Sequence, residues 1–466
     1  MTVENEGAGP AAKATHDSES AGPFPAGFLW GAATAAYQVE GSPLADGAGA
    51  SIWGRFAAAG RVRGGDPAAR ACDHYRRWPE DLLLMAQLGL NAYRFSVAWG
   101  RVLPAGMGAV NEAGLDFYRR LVDGLLAKGI APCLTLYHWD LPAALEDRGG
   151  WLNPDIAGWF AEYAQVIYQA LGDRVELWAT LNEPWVVMDA GYLHGVHAPG
   201  HKDRAEAPRV AHNLLRAHGA ALTALRAAGA ARVGIVLNFE PKDPASPSPD
   251  DQAAAARADA YMNAYFLETL MTGSYPALLP EIFGGDWPEF PARDFNLIRQ
   301  KLDWLGINYY TRSVVRHDPG AAWLSAARVR QAGALHTELD WEVNPAALGT
   351  LLDRIWQACS PLPLYITENG AAFADPPPDE DGRLEDLLRI AYLKAHLNEA
   401  RAALARGVDL RGYFVWSLLD NVEWAEGFSK RFGIVHVDHN SQRRTIKDSG
   451  RFYADVIRSN GRLLQE

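Results

Sequence analysis

The chain has 466 residues, 48% apolar and 21% charged, with a formal net charge of −12. That balance supports a large folded core and excludes wholesale disorder, while acid spread without any basic stripe argues against nucleic acid or anionic lipid as partners. Three cysteines, Cys72, Cys133 and Cys359, stand far apart without metal-ligand spacing and read as reduced core thiols.

Residues 1–22 are rich in Ala, Gly, Glu and Ser and lack an apolar run. They are expected to form a disordered tail rather than a secretory leader, leaving 23–466 as one domain. No stretch is long and apolar enough for a bilayer, and the expected location is the cytoplasm.

Eight strand-like runs follow in order. The first, 28–36, ends in Tyr37-Gln38-Val39-Glu40-Gly41. A helical pattern over 78–88 closes at Gly89 and leads to 91–97, whose odd polar member is Arg94. An amphipathic stretch, 115–128, stops at Gly129 before strand three at 131–136, which opens into Tyr137-His138-Trp139-Asp140. The helix expected at 155–171, capped by Gly172, leads to Val175, Leu177, Trp178 and Ala179 and then to Thr180-Leu-Asn-Glu-Pro184.

The next helix, 208–228, precedes strand five at 233–239. The Pro-bearing piece 243–251 is a surface loop rather than a domain boundary, because a helical run resumes at once. Strands six to eight are 302–310, 364–367 and 411–419, the Pro-rich 375–381 is another loop, and the helical end, 452–464, covers the outside. Strands alternating with helices predict a parallel sheet, and eight such units predict closure into a single (β/α)₈ TIM barrel with loop insertions. A doubly wound fold would need a Gly-rich phosphate loop after strand one, and none is there.

Two carboxylates, Glu183 and Glu368, fall where strands four and seven end, the face on which barrel active sites are built. Either glutamate alone, before Pro or near Gly, reads as a solvated loop acid. Arg94 alone reads as a buried structural ion pair, His138 alone as a satisfied core histidine, and most of the sixteen Trp as core.

Taken together in order, Gln38-Val39-Glu40-Gly41, His138-Trp139-Asp140, Asn182-Glu183-Pro184, Asn308-Tyr309-Tyr310, Thr367-Glu368-Asn369-Gly370 and Trp416 with Glu423-Trp424 make the chain resemble glycoside hydrolase family 1, the retaining β-glucosidases. The resemblance runs from about Phe24 to Phe452. It implies that Glu183 is the acid/base and Glu368 the nucleophile, with Arg94, Asn308 and Tyr310 around the nucleophile. It implies further that Gln38, His138, Asn182, Glu423 and Trp424 take the hydroxyls of the glycone, that Trp416 lies beneath its ring, that Trp341 is the aglycone platform, and that Trp185 and His197 line the entrance. It implies no cofactor and no metal, and a small-molecule β-glucoside as partner; a homo-oligomer stays open.

Glycoside cleavage needs a proton on the leaving oxygen and relief of positive charge at the anomeric carbon, so two carboxyls must sit in different ionisation states. Glu368 beside Arg94 is expected to stay ionised and Glu183, near that charge in a partly dry pocket, to hold its proton to higher pH. Asn182 is expected at the sugar 2-hydroxyl, a contact that strengthens in the transition state.

Two rivals from other classes are a non-catalytic sugar-binding barrel and a metal-dependent barrel hydrolase. The second is prompted by His194, His197 and His201 with His138 and Asp140, but the His-x-x-His-x-x-x-His spacing falls in a Gly/Pro loop with no helix to align the rings. Within the family, the thioglucosidase branch carries Gln where Glu183 stands, and the 6-phospho-glycosidases replace the acid at Glu423. An unphosphorylated glycone follows, glucose first, with galactose and fucose tolerated.

Overall fold

The computed structural model describes residues 24–65, 67–321 and 323–465. The expected tail at 1–22 lies outside the described residues. Eight parallel strands close into a barrel: β1 Leu29–Ala33, β2 Ala92–Ser96, β3 Ala131–Tyr137, β4 Leu177–Asn182, β5 Val233–Phe239, β6 Trp304–Tyr309, β7 Leu364–Asn369 and β8 Leu410–Trp416. Each strand pairs with its sequence neighbours, and β8 closes on β1 with Leu29 opposite Gly412 and Ala33 opposite Trp416. The expected (β/α)₈ barrel is the observed one.

The strands are largely apolar because both faces are covered, one by the barrel interior and one by the helical ring, and their polar members include the site residues Arg94, Asn182, Asn308 and Glu368. All six residues of β4 and of β7 are buried. The helices His74–Gln87, Glu112–Ala127, Ile156–Leu171, Ala207–Ala227, Pro345–Cys359 and Leu387–Ala405 make that ring. The first begins four residues ahead of its expected start, with Pro79 inside it. Gly89 and Gly129 turn the chain out of their helices with φ of +73° and +71°, conformations that cost a residue with a Cβ. Gly172 departs from expectation, remaining right-handed at φ −65°.

The expected loop 243–251 is partly ordered. Lys242–Pro244 pairs with Ser313–His317, which pairs in turn with Ala326–Arg328, giving a small three-stranded sheet above the barrel. Pro249 then opens the helix Pro249–Asp259, whose first turn is capped by the Ser248 hydroxyl accepting from the Asp251 amide at 3.2 Å. The chain at 375–381 has no helix or strand, as expected, and the helix Asp448–Arg458 packs the carboxyl-terminal end outside the barrel. Among the described residues no helix is long and apolar enough to cross a membrane, and the three cysteines are free and buried.

Candidate active site

At the carboxyl ends of the strands lies a cavity of about 410 Å³, within the size range of small-molecule sites. Glu183 follows the last residue of β4, and Glu368 is the penultimate residue of β7. On both strands the pairing register slips just before the acid, between Ala179 and Asn182 and between Ile366 and Glu368. Such irregularities re-aim a side chain. Glu183 itself has φ +47°, and Trp139 and Trp424, two walls of the cavity, have φ +80° and +45°. Non-glycine residues held there cost on the order of 1–3 kcal/mol each, so the cavity wall carries some of the chain's backbone strain. Gly370 is obligatory for a different reason: a Cβ on it would lie 1.7 Å from the Trp416 carbonyl oxygen.

A hydrogen-bond chain joins the two acids. Arg94 Nη1 donates to Glu368 Oε1 at 2.6 Å and Arg94 Nη2 to Asn182 Oδ1 at 2.7 Å. Asn308 Nδ2 donates to the same Asn182 oxygen at 3.1 Å and to Glu183 Oε1 at 2.7 Å. The Tyr310 hydroxyl donates to Glu368 Oε2 at 2.6 Å, and the Thr367 hydroxyl orients Asn308 by donating to its Oδ1 at 2.7 Å. With its oxygen committed to two donors, Asn182 must present nitrogen to His138, where Nδ2 donates to Nε2 at 3.0 Å. One amide hydrogen of Asn182 is left over.

These partners divide the acids electrically. Burial and then the Glu368 charge push the Glu183 carboxyl up to about 8, against the pull of the Asn308 amide and the more distant Arg94 charge. Burial also raises Glu368 above the ordinary carboxylate range, with the Arg94 charge the largest opposing pull and the Tyr310 hydroxyl next. The contrast between the two survives, because Glu368 has a guanidinium and a phenol as donors where Glu183 has only Asn308.

Of the sugar-contacting residues expected, His138, Trp416, Glu423 and Trp424 line the cavity, as do Trp341, Trp185 and His197 nearer its mouth and Asn308 and Tyr310 beside the acids. Gln38, Arg94 and Asn182 are buried behind them, at 0%, 2% and 0% exposure. Trp416 lies 5.7 Å from the His138 ring at 26°, and Trp424 stacks on Tyr37 at 4°. Asn308 differs from expectation in donating to Glu183 as well as neighbouring the nucleophile strand.

Several buried polar atoms here have no partner: Gln38 Oε1, His138 Nδ1, Glu423 Oε2, Trp185 Nε1 and His197 Nδ1. Unmet donors and acceptors cost about 1–3 kcal/mol apiece, and this many in one place suits a ligand rich in hydroxyls. Burial, with help from Glu368 and Glu426, pushes Glu423 up to about 8, so it carries its proton in neutral solution. Burial holds His138 well below the usual histidine range and His197 down at about 4, so both rings are neutral.

Sequence reasoning missed Trp139 as a wall, and Asn238 and Glu240 near the mouth. Trp139 was within reach, sitting inside a quoted motif; its indole donates to the Asn182 carbonyl at 2.9 Å. Asn238 and Glu240 had no signal, since a polar residue at the end of β5 looks the same whether it faces a cavity or a loop.

The histidines behind the metal rival part company. His201 pairs with Glu206 at 2.7 Å and His194 faces Asp189 at 3.6 Å, so that of the three loop histidines His197 alone joins His138 at the cavity. Among the described residues the one group spaced for a cation is Asp375, Asp420 and His436, and Arg389, Arg431 and Lys447 already pair with its two acids.

A parallel barrel with two differently supported carboxyls in an aromatic, hydroxyl-seeking cavity defines a glycoside hydrolase. The sequence comparisons agree: the model of glycosyl hydrolase family 1 matches residues 20–462, and the chain belongs to that family. It is 50% identical over 441 residues to beta-glucosidase A of Thermotoga maritima, covering 94% of this chain and 98% of that protein. It is 42% identical to a bifunctional beta-D-glucosidase/beta-D-fucosidase of Bifidobacterium breve, covering 93% and 98% of the two chains. The structure of the Thermotoga maritima beta-glucosidase in complex with deoxynojirimycin matches with a TM-score of 0.92 at 50% identity, covering 94% of this chain and 99% of that one.

Proposed function

We propose that this enzyme is a retaining β-glucosidase that releases terminal glucose from cellobiose, short cello-oligosaccharides and aryl β-glucosides, with Glu368 as nucleophile and Glu183 as acid/base. The observation that carries the assignment of roles is the unequal support of the two carboxyls. Glu368 accepts from Arg94 and Tyr310 and is the group that bears negative charge and attacks the anomeric carbon; Glu183, pushed up to about 8, brings the proton for the leaving oxygen. When Glu368 becomes an ester its charge disappears, the proton affinity of Glu183 falls, and Glu183 takes a proton from the water that frees the sugar.

The unpartnered atoms of Gln38, His138 and Glu423 support glycone binding through hydroxyls, with the spare amide hydrogen of Asn182 for the 2-hydroxyl and Trp416 beneath the ring. The cavity lining holds Glu183, Glu240, Glu368, Glu423 and Glu426 and no Lys or Arg among the described residues. A 6-phosphate would find no cation there, which favours a neutral glycone more firmly than repulsion by Glu423, itself protonated in the empty site. Galactose and fucose are secondary glycones in this reading, and the Bifidobacterium relative's fucosidase name is consistent with that.

Residues 23–466 are read as the catalytic domain, the location as cytoplasmic, in keeping with three free thiols, and self-association as open to measurement. The test is a product-resolved screen of nitrophenyl β-glycosides alongside cellobiose and cellotriose. Fastest turnover of β-glucosides supports the reading; preference for a 6-phosphoglucoside, or loss of activity with a chelator, contradicts it.

A further inference from the structure

From the last residue of β6 onward the chain grips the segment 341–344 residue by residue. The Tyr309 hydroxyl donates to the Asn344 carbonyl at 2.6 Å, and the Thr311 hydroxyl to the Glu342 carbonyl at 2.9 Å. Between them the Tyr310 ring packs on Trp341 with centroids 5.3 Å apart, while its hydroxyl holds Glu368. Arg312 completes the series. Its Nη2 meets Glu342 Oε1 at 3.0 Å, and its Nη1 meets Asp243 Oδ2 at 2.7 Å. The Glu342 side chain is only 8% exposed and also accepts from Asn344 Nδ2 at 3.0 Å.

We propose that Arg312 is a positioning residue for the Trp341 face of the cavity, fixing that indole against Tyr310 and so against the reacting end of the site. The other grips are ring contacts or run to backbone groups, among them the Thr337 amide donating to the Trp341 carbonyl at 2.9 Å and the Val343 amide to the Leu335 carbonyl at 2.8 Å. The guanidinium fork is different: it joins three pieces of chain, the strand Ser313–His317 that it precedes, Asp243 of the small sheet, and the residue next to Trp341. A planar, bidentate donor fixes orientation as well as distance, which an ammonium does not. Arg312 touches no substrate in this account; it acts on the aglycone only through Trp341. The inference rests on Trp341 being the aglycone platform, and its test separates the two ideas.

The experiment measures kcat/KM for cellotriose and for 4-nitrophenyl β-glucoside in Arg312→Met, Trp341→Ala and the double variant. Arg312→Met is expected to lower the cellotriose-to-nitrophenyl ratio by about tenfold through KM, and to add nothing to that ratio once Trp341 is already Ala, because residues acting in series are not additive. Arg312→Lys should restore the ratio in part. If Arg312→Met folds poorly, Glu342→Gln replaces it and carries the same expectation. Full additivity in the double variant, or an unchanged ratio in both Arg312→Met and Glu342→Gln, overturns the positioning role. An unchanged ratio in Trp341→Ala alone overturns the platform reading instead.

Discussion

Asn308 and Tyr310, two residues apart at the end of β6, hold different carboxyls: Asn308 Nδ2 donates to Glu183 at 2.7 Å and the Tyr310 hydroxyl to Glu368 at 2.6 Å. One strand end therefore sets the spacing of both acids and makes their environments unequal. The amide gives Glu183 a neutral donor, and the phenol adds to Arg94 in supporting charge on Glu368. The division of chemical roles comes from these second partners, since burial alone raises both carboxyls.

Removing the phenol should therefore act on the acid side of the pH profile. In Tyr310→Phe the carboxylate of Glu368 loses a hydrogen bond of the charged kind, so the acid limb of kcat/KM moves upward by about one pH unit. The profile, measured with an activated aryl glucoside, checks this; an unmoved acid limb would detach that limb from Glu368.

Glu183→Ala removes the proton donor. Hydrolysis of glucosides with poor leaving groups is expected to fall by roughly 10² to 10⁴, while the first step with a dinitrophenyl leaving group is spared. Pre-steady-state release of the phenol separates the steps. An equal loss for both kinds of substrate contradicts the acid role.

Stability carries a second signature of the same group. Glu183 binds its proton more tightly folded than unfolded, so between the ordinary glutamate range and about 8 the folded state holds more proton and stability declines as pH rises. Glu183→Gln removes this group's share of that slope, leaving the share of Glu423, also pushed up to about 8. Thermal melts of the two proteins should lie close at pH 4 and diverge toward pH 8 with the variant higher; a gap that narrows with rising pH contradicts the shift.

Glu423→Ala should lower kcat/KM for an aryl β-glucoside by about 10², because partners built to bond hydroxyls are left unpaired. The loss on the matching β-xyloside, which lacks the 6-hydroxymethyl group, should be smaller. Equal losses would move Glu423 away from that end of the sugar.

The barrel was legible because its strands are short apolar runs separated by helices of ordinary length, and 233–239 was bounded to the residue. The acids were legible because each ends a strand in a distinctive motif. What the sequence hid were relationships set by packing: that Asn308 serves Glu183, that burial outweighs Arg94 at Glu368, and that Glu423 is protonated when the site is empty. Glu240 illustrates the reason. Its carboxylate meets Lys242 Nζ at 2.6 Å while lining the cavity mouth, a placement that depends on the small sheet of Lys242–Pro244, whose three residues carry no strand signal of their own.

The most direct test follows the sugar released in the first seconds of turnover by proton NMR, before mutarotation mixes the anomers. Attack by Glu368 on one face of the anomeric carbon, then by water on the opposite face that the leaving group vacated, predicts β-glucose as the initial product from a β-glucoside. Initial α-glucose would mean a single displacement by water, and the nucleophile assigned here would be wrong.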